Sequence, residues 1–595
     1  MRNTFWRYPY LLFDKKGGIR QLINSYKLIR PFSHIIILSI FFVAIGITNY
    51  NRTDAFITLQ KDTLIEGVII GDSGLSRINP LLPTNNQFEN DLTKLIYHGL
   101  IRVTSSGEVQ GILAASWESS DKEGKVYTFH LRDDVYWHDG KKFTADDVLA
   151  TFNVLKALGS GNEAGQPSKY SEVAQNLELE RINDYTITIK SAVINPTFFE
   201  DIDYGILPEH ILSDVSISTF SWAYFNLNPI GTGPFKFNGF KDNVISLIAN
   251  GDYFLEKPKI RHLKIELFET GDAAVNALKN GEIHTLADPS SAILKELENY
   301  KNLSIMHSNI LYRRYLGLYF NLKKDGPETF KQKEIRQAIS SAINRDEIIA
   351  QLSTAGEEAL GTIPKISWAY NKQAKRYQYK TKRAEKLLDA NGWKLKEISG
   401  RKVREKDGTI LRFELSYLDK YDRQIVAQSI KRNLELIGVI VNLDPRSSSD
   451  LNEALIATRN FETVLYGVET PIDPDRIRLW HSKAIKNPGL NISSYITEEQ
   501  GAVIGSDKEI ERISLVDAAL ENGRSTLNEK QRMGSGGLSI GYEKFQEILL
   551  EESPVVFLYH PVFSYASRNR VKGIDLSDMA SPEDRYLSVL NWYIE

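Results

Sequence analysis

Residues 94–155 read KLIYHGLIRVTSSGEVQGILAASWESSDKEGKVYTFHLRDDVYWHDGKKFTADDVLATFNVL, and several local signals in this stretch agree on one α/β unit. Val126 to Leu131 is a β-branched and aromatic run, Asp139-Gly140 supplies a tight turn, and Lys141-Lys142-Phe143 resumes an extended segment, which together predict a hairpin. Thr144 offers a hydroxyl N-cap with Asp147 three residues on, a short-armed capping box. Asp146 and Asp147 also place negative charge at the positive end of the helix dipole. A helix is therefore expected to start at Ala145. Val148, Leu149, Phe152 and Leu155 share one face of it, so the helix can bury an apolar stripe.

Within and beyond that stretch, distinctive pieces follow in order: IYHGLI (96–101), LAASWE (113–118), YTFHLRDDVYWHDGKKFTADDV (127–148), NPIGTGPFKF (228–237), YLGLYFN (315–321), EIRQAISSAINRDEI (334–348) and PVVFLYHPVF (554–563). The ordered set resembles the extracytoplasmic solute-binding proteins of peptide and nickel ABC importers, over roughly residues 62 to 592. That resemblance implies an α/β, two-lobed periplasmic-binding-protein-like fold with an extra inserted domain. It implies a receptor rather than an enzyme, with no cofactor and no metal. Its partners would be a peptide or other small solute, the permease subunits of an ABC transporter and, through them, ATPase subunits. A monomer is expected. A nickel chelate or an oligosaccharide on the same scaffold is the alternative ligand.

At 595 residues the chain is too long for one core, since domains commonly hold about 100 to 200 residues. Hydrophobic residues at 42% and charged residues at 25% are ordinary for a globular protein and argue against disorder. The absence of cysteine excludes disulfides, thiolate metal sites, a cysteine nucleophile and a lipid-modified N-terminal cysteine. A formal net charge of −3 gives no reason to expect nucleic acid.

Residues 35–47, IIILSIFFVAIGI, are the one strongly apolar run, and seven Lys/Arg against only Asp14 precede it. A transmembrane anchor over 35–50 is expected, with a basic cytoplasmic segment at 1–34 and the binding part extracytoplasmic, at the cell membrane. A cleaved signal peptide is the alternative, although such signals span only about 15 to 30 residues.

The expected organisation is 62–93 and 228–308 in lobe I, 94–227 as inserted domain II, 309–553 as lobe II (domain III) and 554–595 returning to lobe I. Residues 62–72 and 311–321 read as strands, the second buried on both faces and, by the resemblance, a hinge crossing. Asp272 to Leu278 reads as a helix ending at Asn280-Gly281. Three further helical stripes run through Ile335 to Ile343, Ala384 to Leu388 and Val426 to Leu434. Residues 525–538 read as a loop.

For chemistry, GLSIG (537–541) matches a nucleophile elbow at Ser539, but the polar, glycine-rich residues before it cannot form the buried strand that motif needs. His138 and Asp139 fall on a turn. His481 with Asp473 and Asp475 offers metal-ligand types without a metal-ligand spacing. Ligand contact is expected instead from YGVETPIDPDRIRLW (466–480). In peptide-binding members of the family an aspartate four residues before the second proline pairs with the peptide's α-ammonium; that position is Thr470 here, and a one-residue shift brings Glu469 and Tyr466 into the family's roles. A dehydrated ammonium requires such a carboxylate partner. Asp473 completes this set, and Asn79, in an Asn-Pro turn, is a further candidate.

Overall fold

The computed structural model describes residues 62–71, 74–84, 86–160, 168–308, 314–352, 356–486, 489–504, 510–534 and 540–595. Two large mixed sheets dominate it. The first runs in the order Leu303–Ser308, Phe563–Arg568, Thr285–Ala287, Thr63–Ile69, His262–Phe268, Val244–Ala249 and Phe235–Lys241. Thr63–Ile69 pairs parallel with strands on both sides, and the remaining pairs are antiparallel. The second runs Glu357–Glu358, Val555–His560, Arg314–Phe320, Thr463–Glu469, Arg412–Leu418 and Ile440–Arg446.

Arg314–Phe320 shows why this sequence makes a central strand. Leu316, Leu318 and Phe320 pack into one apolar cluster and Tyr315 and Tyr319 into another, on the opposite face, so period-2 alternation buries both sides. Helices Lys333–Ala342, Thr381–Ala390 and Tyr421–Glu435 cover the first face; Leu515–Arg524 and Tyr542–Glu552 cover the other.

A four-stranded antiparallel sheet, Ala114–Ser119, Val126–Leu131, Thr186–Ser191 and Leu177–Asn183, is built wholly within the stretch read as an insertion. The helix beside it starts at Ala145 as expected: Thr144 Oγ1 accepts the Asp146 N–H at 3.3 Å, and Asp147 accepts the Thr144 N–H at 2.8 Å. The hairpin reading needs correction. Val126–Leu131 pairs with Ala114–Ser119 and Thr186–Ser191, whereas the Asp139-Gly140 turn closes only a small loop bridged by Tyr136 and Lys142. A turn signal cannot say which strand lies on its far side.

The insertion and the first sheet share one apolar core, in which Leu95, Phe129, Phe143, Leu247 and Trp592 meet. No apolar cluster among the described residues joins the first sheet to the second. The strand at 554–560, expected back in the first lobe, lies in the second sheet against Arg314–Phe320; Phe563–Arg568 makes the return. Its run of apolar residues suits either sheet, so composition could not decide. The stretch read as a loop at 525–538 also contains a short helix, Glu529–Met533, capped by Asn528.

The expected anchor at 35–50 lies outside the described residues, as does Ser539. Among the described residues no helix is long and apolar enough to cross a membrane.

Candidate functional site

The two lobes meet through polar contacts. Glu200, in the short helix Phe198–Asp201 of the insertion, accepts the backbone N–H groups of Ile472 at 3.0 Å and Asp473 at 2.8 Å. Glu172 pairs with Arg478 at 3.3 Å, and Ser291 donates to Asp422. Behind these contacts lies a cleft of about 610 Å³. The insertion contributes Val103, Gly107, Phe199 and Glu200; the second lobe contributes Trp368, Thr470, Ile472, Asp473 and Glu529.

The segment singled out in the sequence forms much of the second-lobe wall. Thr463–Glu469 ends at the gap, and Thr470-Pro471-Ile472-Asp473 continues along the cleft. Thr470 is buried, and Asp473 takes a two-pronged contact from Arg532, with Nη1 at 2.8 Å and Nη2 at 2.5 Å. This fork-to-fork geometry, together with the Tyr542 hydroxyl, holds the Arg532 guanidinium charged and its pKa above the ordinary value despite burial. Arg532 also sits 5.1 Å from the Trp368 ring centre, so Asp473 fixes Arg532 and Arg532 backs one face of Trp368.

Glu469 is the last residue of the strand Thr463–Glu469. Its Oε2 lies 3.1 Å from both Nε and Nη2 of Arg314, directly opposite across the strand pair. Tyr466 donates its hydroxyl to Asn452 at 2.9 Å. Asp288 lies near Arg314, just past Thr285–Ala287, with a left-handed backbone at φ 42°. Its side chain is open to water yet closely surrounded by protein. Dehydration raises its carboxyl pKa, with Arg314 and Arg585 opposing the rise.

Asn79 is not at the cleft. It is buried, donates to Asn226 at 2.8 Å and accepts the Leu81 N–H at 2.9 Å, which makes it a turn-forming residue. His138 is likewise engaged: Nδ1 accepts the Gly231 N–H at 3.2 Å and Nε2 bonds the Gly233 carbonyl at 3.0 Å. Its partners Gly231 and Gly233 pack tightly on Leu95 and Ile96. A Cβ on Gly231 would lie 1.8 Å from the Ile96 carbonyl oxygen, so the glycines serve close backbone approach. His481 bonds Glu521 at 2.9 Å, while Asp473 and Asp475 pair with Arg532 and Arg524. Among the described residues no group of three His, Cys, Asp or Glu side chains could hold a metal ion.

Glu200, Trp368 and Glu529 escaped the sequence reading. Each stands in an unremarkable loop or short helix, and only the closing of two distant segments brings them together. The one available signal was an aromatic in a Pro- and Ser-containing stretch, PKISWAY (364–370).

Comparison with known proteins fits this geometry. The family described as bacterial extracellular solute-binding proteins, family 5 (middle), matches residues 108–484, more than half of the chain. The oligopeptide-binding protein AppA of Bacillus subtilis is 28% identical over 550 residues, covering 91% of this chain and 94% of AppA. Among solved structures, NikZ from Campylobacter jejuni in complex with Ni(L-His) superposes with a TM-score of 0.71 at 28% identity, over 90% of this chain and 99% of NikZ. The Bacillus subtilis AppA structure with a nonapeptide gives 0.70 at 26% identity, over 90% of this chain and 99% of AppA.

Proposed function

The chain belongs to the bacterial extracellular solute-binding proteins of family 5, and from that premise we propose that it captures peptides between its lobes and passes them unchanged to an ABC permease. It is a binding protein, not an enzyme. The observation that carries the reading is the cleft of about 610 Å³ with walls from both lobes, joined by polar contacts and, among the described residues, by no shared apolar core. Polar closure is reversible at small cost, so a bound ligand can shift the population toward the closed form that a permease reads by shape.

A peptide suits such a gap because the end of Thr463–Glu469 offers backbone groups to an extended chain, while the cleft accommodates side chains. We place the ligand's ammonium at the hinge end, near Glu469 and Tyr466, and its body along Thr470 to Asp473. We divide the chain into a first lobe (62–93, 228–308 and 561–595), the insertion (94–227) and a second lobe (309–560). Residues 35–50 are proposed to anchor the protein in the cell membrane as a monomer, with 1–34 on the cytoplasmic side; a mature N-terminus near residue 48 on sequencing would reject the anchor.

The test of binding is calorimetric titration of the full-length protein with peptides of two to nine residues, and separately with nickel–histidine chelate. Peptide binding with heat and saturation is expected. Binding of the chelate alone would move the assignment to metal-chelate uptake.

A further inference from the structure

Among the described residues the cleft wall carries three carboxylates, Glu200, Asp473 and Glu529, and no Lys, Arg or His. They differ in what they face. Asp473 is neutralised by Arg532, and Glu200 is committed to two backbone N–H groups across the gap. Glu529, exposed at the first position of the helix Glu529–Met533, makes no hydrogen bond or ion pair among the described residues. The same wall carries apolar groups, Phe199, Ile366, Trp368 and Ile472, interspersed with the hydroxyls of Ser105, Ser106, Ser367 and Thr470. Trp368 is 40% exposed, and Arg532 already occupies part of its surroundings.

A chamber of mixed lining, with an aromatic and aliphatic side, a carboxylate without a partner among the described residues and no cation among its described lining, suits a ligand group with a long aliphatic stem and a positive head. Resting on the peptide-binding reading above, we propose that this cleft is a side-chain subsite for lysine or arginine of the bound peptide. The stem lies against Trp368, Phe199 and Ile472, and the ammonium or guanidinium pairs with Glu529 under the added negative field of Glu200. An anionic side chain entering here would meet Glu200 and Glu529 with no compensating cation on the wall. A purely apolar one would leave Glu529 partly dehydrated and unpaired.

The experiment is calorimetry on the full-length protein with pentapeptides in which one lysine is moved through an alanine background. A matched set carries norleucine, which keeps the stem and lacks the charge. At one position lysine is expected to bind about tenfold tighter than norleucine, a charge-assisted contact's worth. Glu529→Gln is expected to bring that ratio close to one at that position only, and glutamate there to bind more weakly than norleucine. Lysine showing no advantage at any position, or an advantage that Glu529→Gln leaves intact, would overturn the subsite while the norleucine peptides still report peptide binding. If no peptide of either set binds, the peptide reading itself falls, and the subsite with it.

Discussion

Two charged regions of the molecule solve opposite problems. In the core of the first lobe, Arg585 is wholly buried between Glu66, with Nη2 at 2.7 Å, and Asp91, with Nη2 at 2.6 Å; Tyr586 and Tyr565 donate to the same Glu66 carboxylate. Every charge there has several partners. At the gap, by contrast, Glu529 faces the cleft with no hydrogen bond or ion pair among the described residues. Saturated charges hold a fold in register, and unsaturated ones at an opening are available to a ligand.

That contrast can be broken most severely at Arg585. Replacing it with alanine leaves Glu66 and Asp91 buried without their cation, and a loss of about 3–5 kcal/mol is expected in denaturant unfolding. A loss below about 1 kcal/mol would mean that the network is incidental to stability. The next largest effect should come from acid. Burial holds His98 down to about 3, and His138 and His284 down to about 4, so all three are neutral in the fold and protonate more readily when it opens. Their contribution is present above the unfolded histidine value of about 6.5 and is lost as pH falls toward 4. Asp91, raised by burial to about 6, works the other way over the lower part of that window and offsets one histidine in part. A net fall of several kcal/mol between pH 6.5 and 4 is expected. Unfolding midpoints that do not move with pH would contradict it.

The gap should respond in binding rather than in stability. Glu200→Gln removes the charge from both contacts to Ile472 and Asp473, and an affinity loss of about three- to tenfold is expected, with scattering showing a more open average shape. Unchanged affinity and shape would remove Glu200 from closure. Smallest of all should be Glu469→Ala. Because Arg314 already shares that carboxylate, the expected loss for peptides with a free N-terminus is only about two- to fivefold, and N-acetylated peptides should lose less. Equal loss for both would place the ammonium elsewhere, with Asp288 the first residue to examine.

The same contrast explains what could be read in the sequence. Period-2 burial in Arg314–Phe320, the capping box at Thr144 and the left-handed Gly281 stop after Gly271–Asn280 are local properties, written within a few adjacent residues. Thr470 and Asp473 were found at the cleft because one continuous segment supplies them. Glu200 and Glu529 acquire meaning only when residues more than three hundred positions apart meet, and no local pattern marks them. Asn79 misled because an Asn-Pro turn looks the same whether or not a ligand lies beside it. The strand at 555–560 was given to the wrong sheet since its side chains are buried in either environment.

The pairing of Arg585 with Glu66 joins positions 519 residues apart, and Arg585 is only ten residues from the carboxyl end. A chain made from its amino end therefore carries Thr63–Ile69 without its charged partner until residue 585 has been added, and Phe563–Arg568 must also arrive before that strand's sheet can close. Of the two sheets, the first is therefore the later to be completed.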